Sequence, residues 1–337
     1  MDSSARWHRS DCRNPTVIAD DGVPRCLSCH ESSATAVAQL VAQTYGKAGQ
    51  IDLPVEAPLG ESNFWWPPCV PYKDPQGEIS QAPRASDDGA GSSNLFRTGS
   101  ALSSASTIYP LSLDSGHFRI ICLTASNHTS SPIHINLEQY SLDDCPEYET
   151  ISYLWGGEEG DSTLCEPVYV GIFWDIVLVT KNCSAVLHYL RPPRGCRFIW
   201  LDAICINQAD ETEKPAQISN MSEIYRNCQR VVAYFGSDLI SEPPKRAFRQ
   251  RVDFQQSAFS SGKLSDRKDH CERFLKGCAK KSGLSQEQLL QRRYLTRVWI
   301  VQELLLSKKA LFPLGDSDVI CDVTFPPFEG HFSLSRE

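Results

Sequence analysis

Two groups of residues in this chain have the types and spacing that chemistry requires. The first is His8, Cys12, Cys26, Cys29 and His30, close to the N-terminus. Cys26-Leu27-Ser28-Cys29 is a C-x-x-C knuckle, and two thiolates so spaced can share one tetrahedral Zn²⁺. His8 and Cys12, four apart, complete a Cys₃His set, with His30 in reserve. The competing reading is free thiols in a loose tail. The second group begins in residues 198–208, which are apolar up to Asp202 and polar again at Asn207 and Gln208. Such a run fits a strand buried on both faces of a parallel sheet, and ligand sites in such sheets lie at the carboxyl ends of strands. Asp202 is therefore either a site carboxylate or the cap of the next turn. Ser152, Tyr153, Trp155 and Gly156 end another predicted strand. Gly156-Gly157 would let backbone amides approach a phosphate, or simply make a tight turn. Trp299 and Glu303, four apart on a predicted helix, share one face. Either the tryptophan walls off a working carboxylate, or Trp299 is core and Glu303 pairs with Arg297.

Composition removes several classes of function. The chain has 337 residues, 41% of them hydrophobic, enough for a substantial core in one or two domains. A net charge of −8 argues against nucleic acid as a partner. No apolar run approaches the ~18 residues that span a bilayer, so no membrane partner is expected. The first residues lack the apolar stretch of a secretory signal, so the fourteen cysteines read as reduced thiols in a cytoplasmic protein. Cys205 has no histidine near it in sequence and reads as packing. No G-x-G-x-x-G, Walker, G-x-S-x-G or H-E-x-x-H pattern occurs.

The elements that must position these residues follow from periodicity. Residues 1–31 form the Cys/His segment. Residues 32–72 hold a short helix with Val37, Leu40, Val41 and Tyr45 on one side, then the aromatic stretch Phe64-Trp65-Trp66. Residues 73–107, rich in Ser, Gly, Pro, Asp and Ala, cannot bury enough apolar area to order and read as a disordered linker. The main domain is assigned to 108–315, with a polar variable insertion at 237–290, and 316–337 is read as a tail. Within it, strands are predicted around 118–123, 134–137, 149–155, 168–170, 198–202, 230–235 and 310–312. Helices are predicted after Thr180 as N-cap, over 215–228, and over 292–307 with Leu295, Val298, Trp299 and Leu306 inward. Alternating strands and helices predict an α/β fold with a mostly parallel sheet flanked by helices.

Three blocks carry a resemblance. Tyr148–Gly156 reads YETISYLWG, Trp200–Gln208 reads WLDAICINQ and leads through Met221, Ile224 and Tyr225 to Val231–Gly236, and Arg297–Glu303 reads RVWIVQE. In content and order they resemble the fungal heterokaryon-incompatibility (HET) domain, over roughly residues 109–313. One departure is Tyr294-Leu295, where the family usually has a tryptophan–phenylalanine pair. The resemblance implies a distantly TIR-like fold (after Toll/interleukin-receptor domains), with Trp299 and Glu303 at the TIR Trp-x-x-x-Glu spacing. It further implies a vegetative-incompatibility effector, in which non-self recognition ends in programmed cell death. Its partners would be other incompatibility proteins or further copies of itself. In TIR enzymes that cleave NAD this glutamate acts beside the nicotinamide-bearing ribose. Glu303 is thus the expected catalytic residue, NAD the candidate substrate, and Ser152, Tyr153, Trp155, Gly156, Asp202, Asn207 and Trp299 the expected ligand-binding set. The alternative is a non-enzymatic module that signals by self-association.

Overall fold

Glu149–Tyr153 (β8) is buried at all five positions, so both of its faces are covered. The computed structural model describes residues 4–46, 72–73, 79–80, 108–109, 113–114, 116–128, 130–241, 250–254, 264–297 and 299–322. Strand β8 is flanked on one side by Cys196–Trp200 (β11) and on the other by Arg230–Tyr234 (β12), and Lys309–Leu314 (β14) lies beyond β12. All three pairings are parallel. In chain order this is 2-1-3-4, the doubly wound arrangement whose order reverses at the first strand. The chain leaves β8 towards one side and returns to the other, so the order reverses beside the carboxyl ends Tyr153, Trp200 and Tyr234.

Antiparallel strands extend this nucleus. His117–Thr124 (β6) pairs with β11 and with His134–Ser141 (β7). Leu164–Val170 (β9) lies parallel to β7 and turns back into Asp175–Thr180 (β10). Ser4–Ala5 (β1) covers the outer edge of β10. At the other end Ser317–Asp322 (β15) pairs with β14, and Gln250–Phe254 (β13) lies parallel to β15. Among the described residues the sheet thus has eleven strands in the order β1-β10-β9-β7-β6-β11-β8-β12-β14-β15-β13. The expected mostly parallel sheet is in fact mixed, because strands joined by short turns, such as β9 and β10, can pair only antiparallel.

The N-terminal segment adds a hairpin, Val17–Asp20 (β2) with Val23–Cys26 (β3), turned by Asp21-Gly22 with both residues at positive φ. The helix Ser33–Gly46 (α1) follows and buries Leu40. The flanking helices are Lys181–Leu190 (α2), Asp202–Cys205 (α3), Glu213–Asn227 (α4), Leu264–Ser282 (α5), Gln286–Leu290 (α6) and Trp299–Leu306 (α7). Thr180 caps α2 by accepting the Cys183 amide. Residues 55–105 form a separate unit, in which Tyr72–Lys73 (β4) pairs with Ile79–Ser80 (β5); the rest of the expected linker and the aromatic stretch lie outside the described residues. Among the described residues, no helix is long and apolar enough to cross a membrane.

Four local expectations need correction. The strand expected over 198–202 runs from Cys196 and ends at Trp200, because the Ile204 and Cys205 amides turn back onto the Leu201 carbonyl. The single helix over 292–307 is broken. A 3₁₀ turn, Arg293–Thr296, precedes α7, and Arg297 between them is extended, with φ −74° and ψ 133°. The polar 237–290 stretch is not all surface, since Phe274, Leu275, Cys278 and Leu289 join the main core. Sheet pairing also continues beyond residue 315, through β15. Ile199, Leu201, Ile204, Val232 and Phe235 are buried in this core, whereas the side chains of Val298 and Trp299, expected to face inward, lie outside the described set.

Candidate functional site

Consecutive residues of a strand point to opposite faces, and β8 uses this to build two polar clusters at its carboxyl end. On one face Ser152 donates to a Glu303 carboxylate oxygen and lies 2.6 Å from the Tyr294 hydroxyl. The other Glu303 oxygen is 3.5 Å from Arg297 Nη2. Glu303 is only 4% exposed, so it faces inward and each oxygen has a partner. The extended backbone at Arg297 aims the guanidinium back at the strand, where Nη1 donates to the Tyr153 carbonyl at 2.9 Å. Burial alone would lower the Arg297 pKa, but Glu303, Tyr294, Asp202 and Tyr225 outweigh it and hold the cation charged. Burial, reinforced by Glu303, pushes the Tyr294 hydroxyl up, so it stays protonated.

On the other face Tyr153 is buried, and its hydroxyl has no hydrogen-bond partner among the described residues. Burial, then the Cys183 thiol and the Asp202 carboxylate, push its pKa well up. Asp202 opens α3. One carboxylate oxygen accepts the Ala203 amide at 2.7 Å and the other accepts the Trp155 indole N–H at 3.0 Å. Burial raises the Asp202 pKa to about 6, and Glu303 adds to the rise against the pull of Trp155 and Arg297. Asp202 is therefore the carboxyl poised near neutrality. Arg297 links the two clusters, through its bond to the Tyr153 carbonyl and its charge beside both acids.

The following loop is tightly constrained. Gly156 packs so closely that a Cβ there would lie 2.7 Å from the Gly160 carbonyl carbon. Glu158 accepts the Arg293 amide at 3.1 Å and pairs with Arg292 at 3.2 Å, tying this loop to the approach to α7. Asn207 accepts the Ala209 amide at 3.2 Å in a turn of its own. The Trp299 side chain lies outside the described residues, although its backbone begins α7 four residues before Glu303.

Sequence reasoning missed two elements of this site. Tyr294 was treated only as a departure in packing, yet its hydroxyl meets Ser152; a polar atom on an otherwise apolar position was the available signal. Arg119 and Glu213 were not singled out. They form a buried ion pair with contacts of 2.5 and 2.9 Å. Glu213 also accepts the Asn207 amide at 2.8 Å, and Arg119 donates to the Cys205 carbonyl at 3.2 Å. The pair thus clamps the segment that carries Asp202. Cys205 is buried, and burial raises its thiol pKa to about 12, as befits packing rather than a nucleophile.

At the other end of the sheet the structure gathers His8, Cys12, Cys26 and Cys29, with one ligand atom from each within 4.8 Å of all the others. This group could hold a metal ion. His30, at φ 63°, shapes the turn after the knuckle, and its amide bonds the Cys26 carbonyl at 2.9 Å.

Fold and site define an α/β domain with a buried acidic centre at the carboxyl ends of its parallel strands. Residues 148–303 match the family model described as Heterokaryon incompatibility protein (HET). The match spans the three sequence blocks that carry the resemblance. Over 164 residues it is 29% identical to Heterokaryon incompatibility protein 6, OR allele, of Neurospora crassa. That stretch covers 45% of this chain and 22% of the relative, so the chain spans less than a quarter of the relative's length. No solved structure matches it.

Proposed function

We propose that this chain acts in fungal heterokaryon incompatibility, its HET domain being the effector through which non-self recognition leads to programmed cell death. The observation that carries the reading is the pair of acids at the carboxyl ends of β8 and β11, Glu303 with Ser152 in one cluster and Asp202 in the other, with the Arg297 charge beside both, inside the matched residues. The doubly wound strand order and the Trp299–Glu303 spacing on α7 support a TIR-like ancestry. The chemistry that suits such a centre is cleavage of the nicotinamide–ribose bond of NAD. A fixed carboxylate can stabilise an oxocarbenium-like ribose, as glycosidase carboxylates do. In this scheme Glu303 faces the developing cation, Ser152 and Arg297 orient that carboxylate, neutral nicotinamide leaves, and water captures the ribose while Asp202, near neutrality, takes the proton that the water loses. The protein would act in the cytoplasm, with other incompatibility proteins or with copies of itself as partners.

A second reading is favoured by one observation. Both Glu303 oxygens are already engaged, as expected of a carboxylate that holds a module in shape for self-association. Purified chain incubated with NAD separates the two. Release of nicotinamide that disappears in Glu303→Gln, with the fold retained, supports the enzyme. No release from wild type at any protein concentration leaves the assembly module.

A further inference from the structure

The cluster at the N-terminus is independent of the HET centre and obeys a different geometry. A tetrahedral Zn²⁺ with bonds of about 2.0–2.3 Å requires ligand atoms about 3.3–3.8 Å apart. Here Cys29 Sγ lies 3.5 Å and Cys12 Sγ 3.9 Å from His8 Nδ1, and Cys12 Sγ lies 4.0 Å from Cys26 Sγ. These separations are far too long for a disulfide and close to those of a shared tetrahedral ion. The histidine is prepared for the same task. His8 Nε2 lies 2.7 Å from the Phe173 carbonyl, an acceptor only, so Nε2 carries the proton and Nδ1 presents its lone pair to the thiols. A backbone carbonyl on the far nitrogen is the usual partner of a metal-bound imidazole. Its ring is also stacked on Trp7, with centroids 4.0 Å apart.

We propose that His8, Cys12, Cys26 and Cys29 form a structural Zn²⁺ site that latches the N-terminal segment onto the edge of the sheet. Four protein ligands leave no open position for a substrate water, which marks the site as structural rather than catalytic. It joins three parts of the chain: the strap 6–12, the knuckle at the end of β3, and the turn between β9 and β10. The strap is fastened to that turn beside the metal. Arg6 pairs with Asp175 at 2.9 Å and lies over the Phe173 ring, and the Trp7 indole donates to the Trp174 carbonyl at 2.7 Å. Beyond the strap, β1 covers the edge of β10, with Ser4 opposite Val177 and Ala5 opposite Ile176. An uncovered edge strand is a template for pairing with another chain, so the metal guards this edge.

The test uses the full chain, purified without chelator. Elemental analysis should give about one zinc per chain. After zinc is stripped under reducing conditions, Co²⁺ should restore one equivalent, with thiolate-to-cobalt charge transfer and the intense visible bands of a tetrahedral ion. This titration needs no variant, so a misfolding mutant cannot obscure it. His8→Ala and Cys26→Ser should lose the stoichiometric metal, whereas Cys196→Ser, at an exposed cysteine outside the cluster, should keep it. In hydrogen exchange, chelation should speed the amides of residues 4–46 at least tenfold and leave those of β8 and β12 unchanged. A chain that arrives without zinc and gives no tetrahedral cobalt spectrum overturns the proposal, as does full metal content in both ligand variants. Unchanged exchange in residues 4–46 on metal removal overturns the latch.

Discussion

Asp202 makes a pH dependence with an unusual sign. Its carboxyl is held at about 6 in the folded chain, against an ordinary 3.8. Between these values the folded state keeps a proton that the unfolded state has lost, so this residue's contribution to stability falls as pH rises from about 4 to about 6. At about 1.4 kcal/mol for each tenfold step, the full rise would correspond to roughly 3 kcal/mol. Asp202 is only half-buried, and solvent screening brings the expected effect to about 1–2 kcal/mol. Asp202→Asn removes the titration but keeps only one oxygen acceptor, so it loses either the Trp155 or the Ala203 bond, a cost that does not vary with pH and leaves the slope intact. Urea unfolding of wild type and Asp202→Asn from pH 4 to pH 8 isolates the term as the difference between the two. Relative to wild type, the variant should gain about 1–2 kcal/mol across this range, nearly all of it below pH 7. A difference that stays flat, or that favours wild type as pH rises, would refute the burial and charge argument for this carboxyl.

Other perturbations test the scaffold. Arg119→Met removes the ion-pair partner of the buried Glu213, so the chain should lose about 3–5 kcal/mol in urea unfolding, and the amides of residues 202–208 should exchange faster. Trp200 is fully buried beneath Tyr225, and Trp200→Ala should cost about 3–5 kcal/mol, read as a lower melting temperature. Gly156→Ala drives a methyl group into the Gly160 backbone and should cost about 1–3 kcal/mol in the same assay.

Much of the HET domain was legible in the sequence because its strands are buried on both faces and read as short apolar runs. Ile199, Leu201 and Val232 are buried as expected, and Thr180 caps its helix. The mixed sheet was not legible. Apolar runs do not encode strand direction, and the Asp175–Thr180 run was not singled out at all. The kink at Arg297 was hidden by a helical apolar pattern on both sides of it. Only the bonds to Tyr153 and Glu303 explain why the chain opens there. Ser152 and Tyr153 appeared in sequence as one motif, but strand alternation sends them to opposite faces. The four residues that gather in the N-terminal cluster were legible from spacing alone. Their fastening to Phe173 was not, since it lies 165 residues away in sequence.

The central claim is that Glu303 is the working carboxylate of an incompatibility effector. Expressing wild type and Glu303→Gln at equal levels in a fungal host, with each protein's thermal unfolding as a control, tests it most directly. The amide retains the shape and an acceptor for Ser152 but cannot carry the charge that stabilises a developing cation. Wild type should kill the cells and deplete their NAD, while folded Glu303→Gln should leave both viability and NAD near their starting levels. A folded Glu303→Gln chain that kills as efficiently as wild type would contradict the claim.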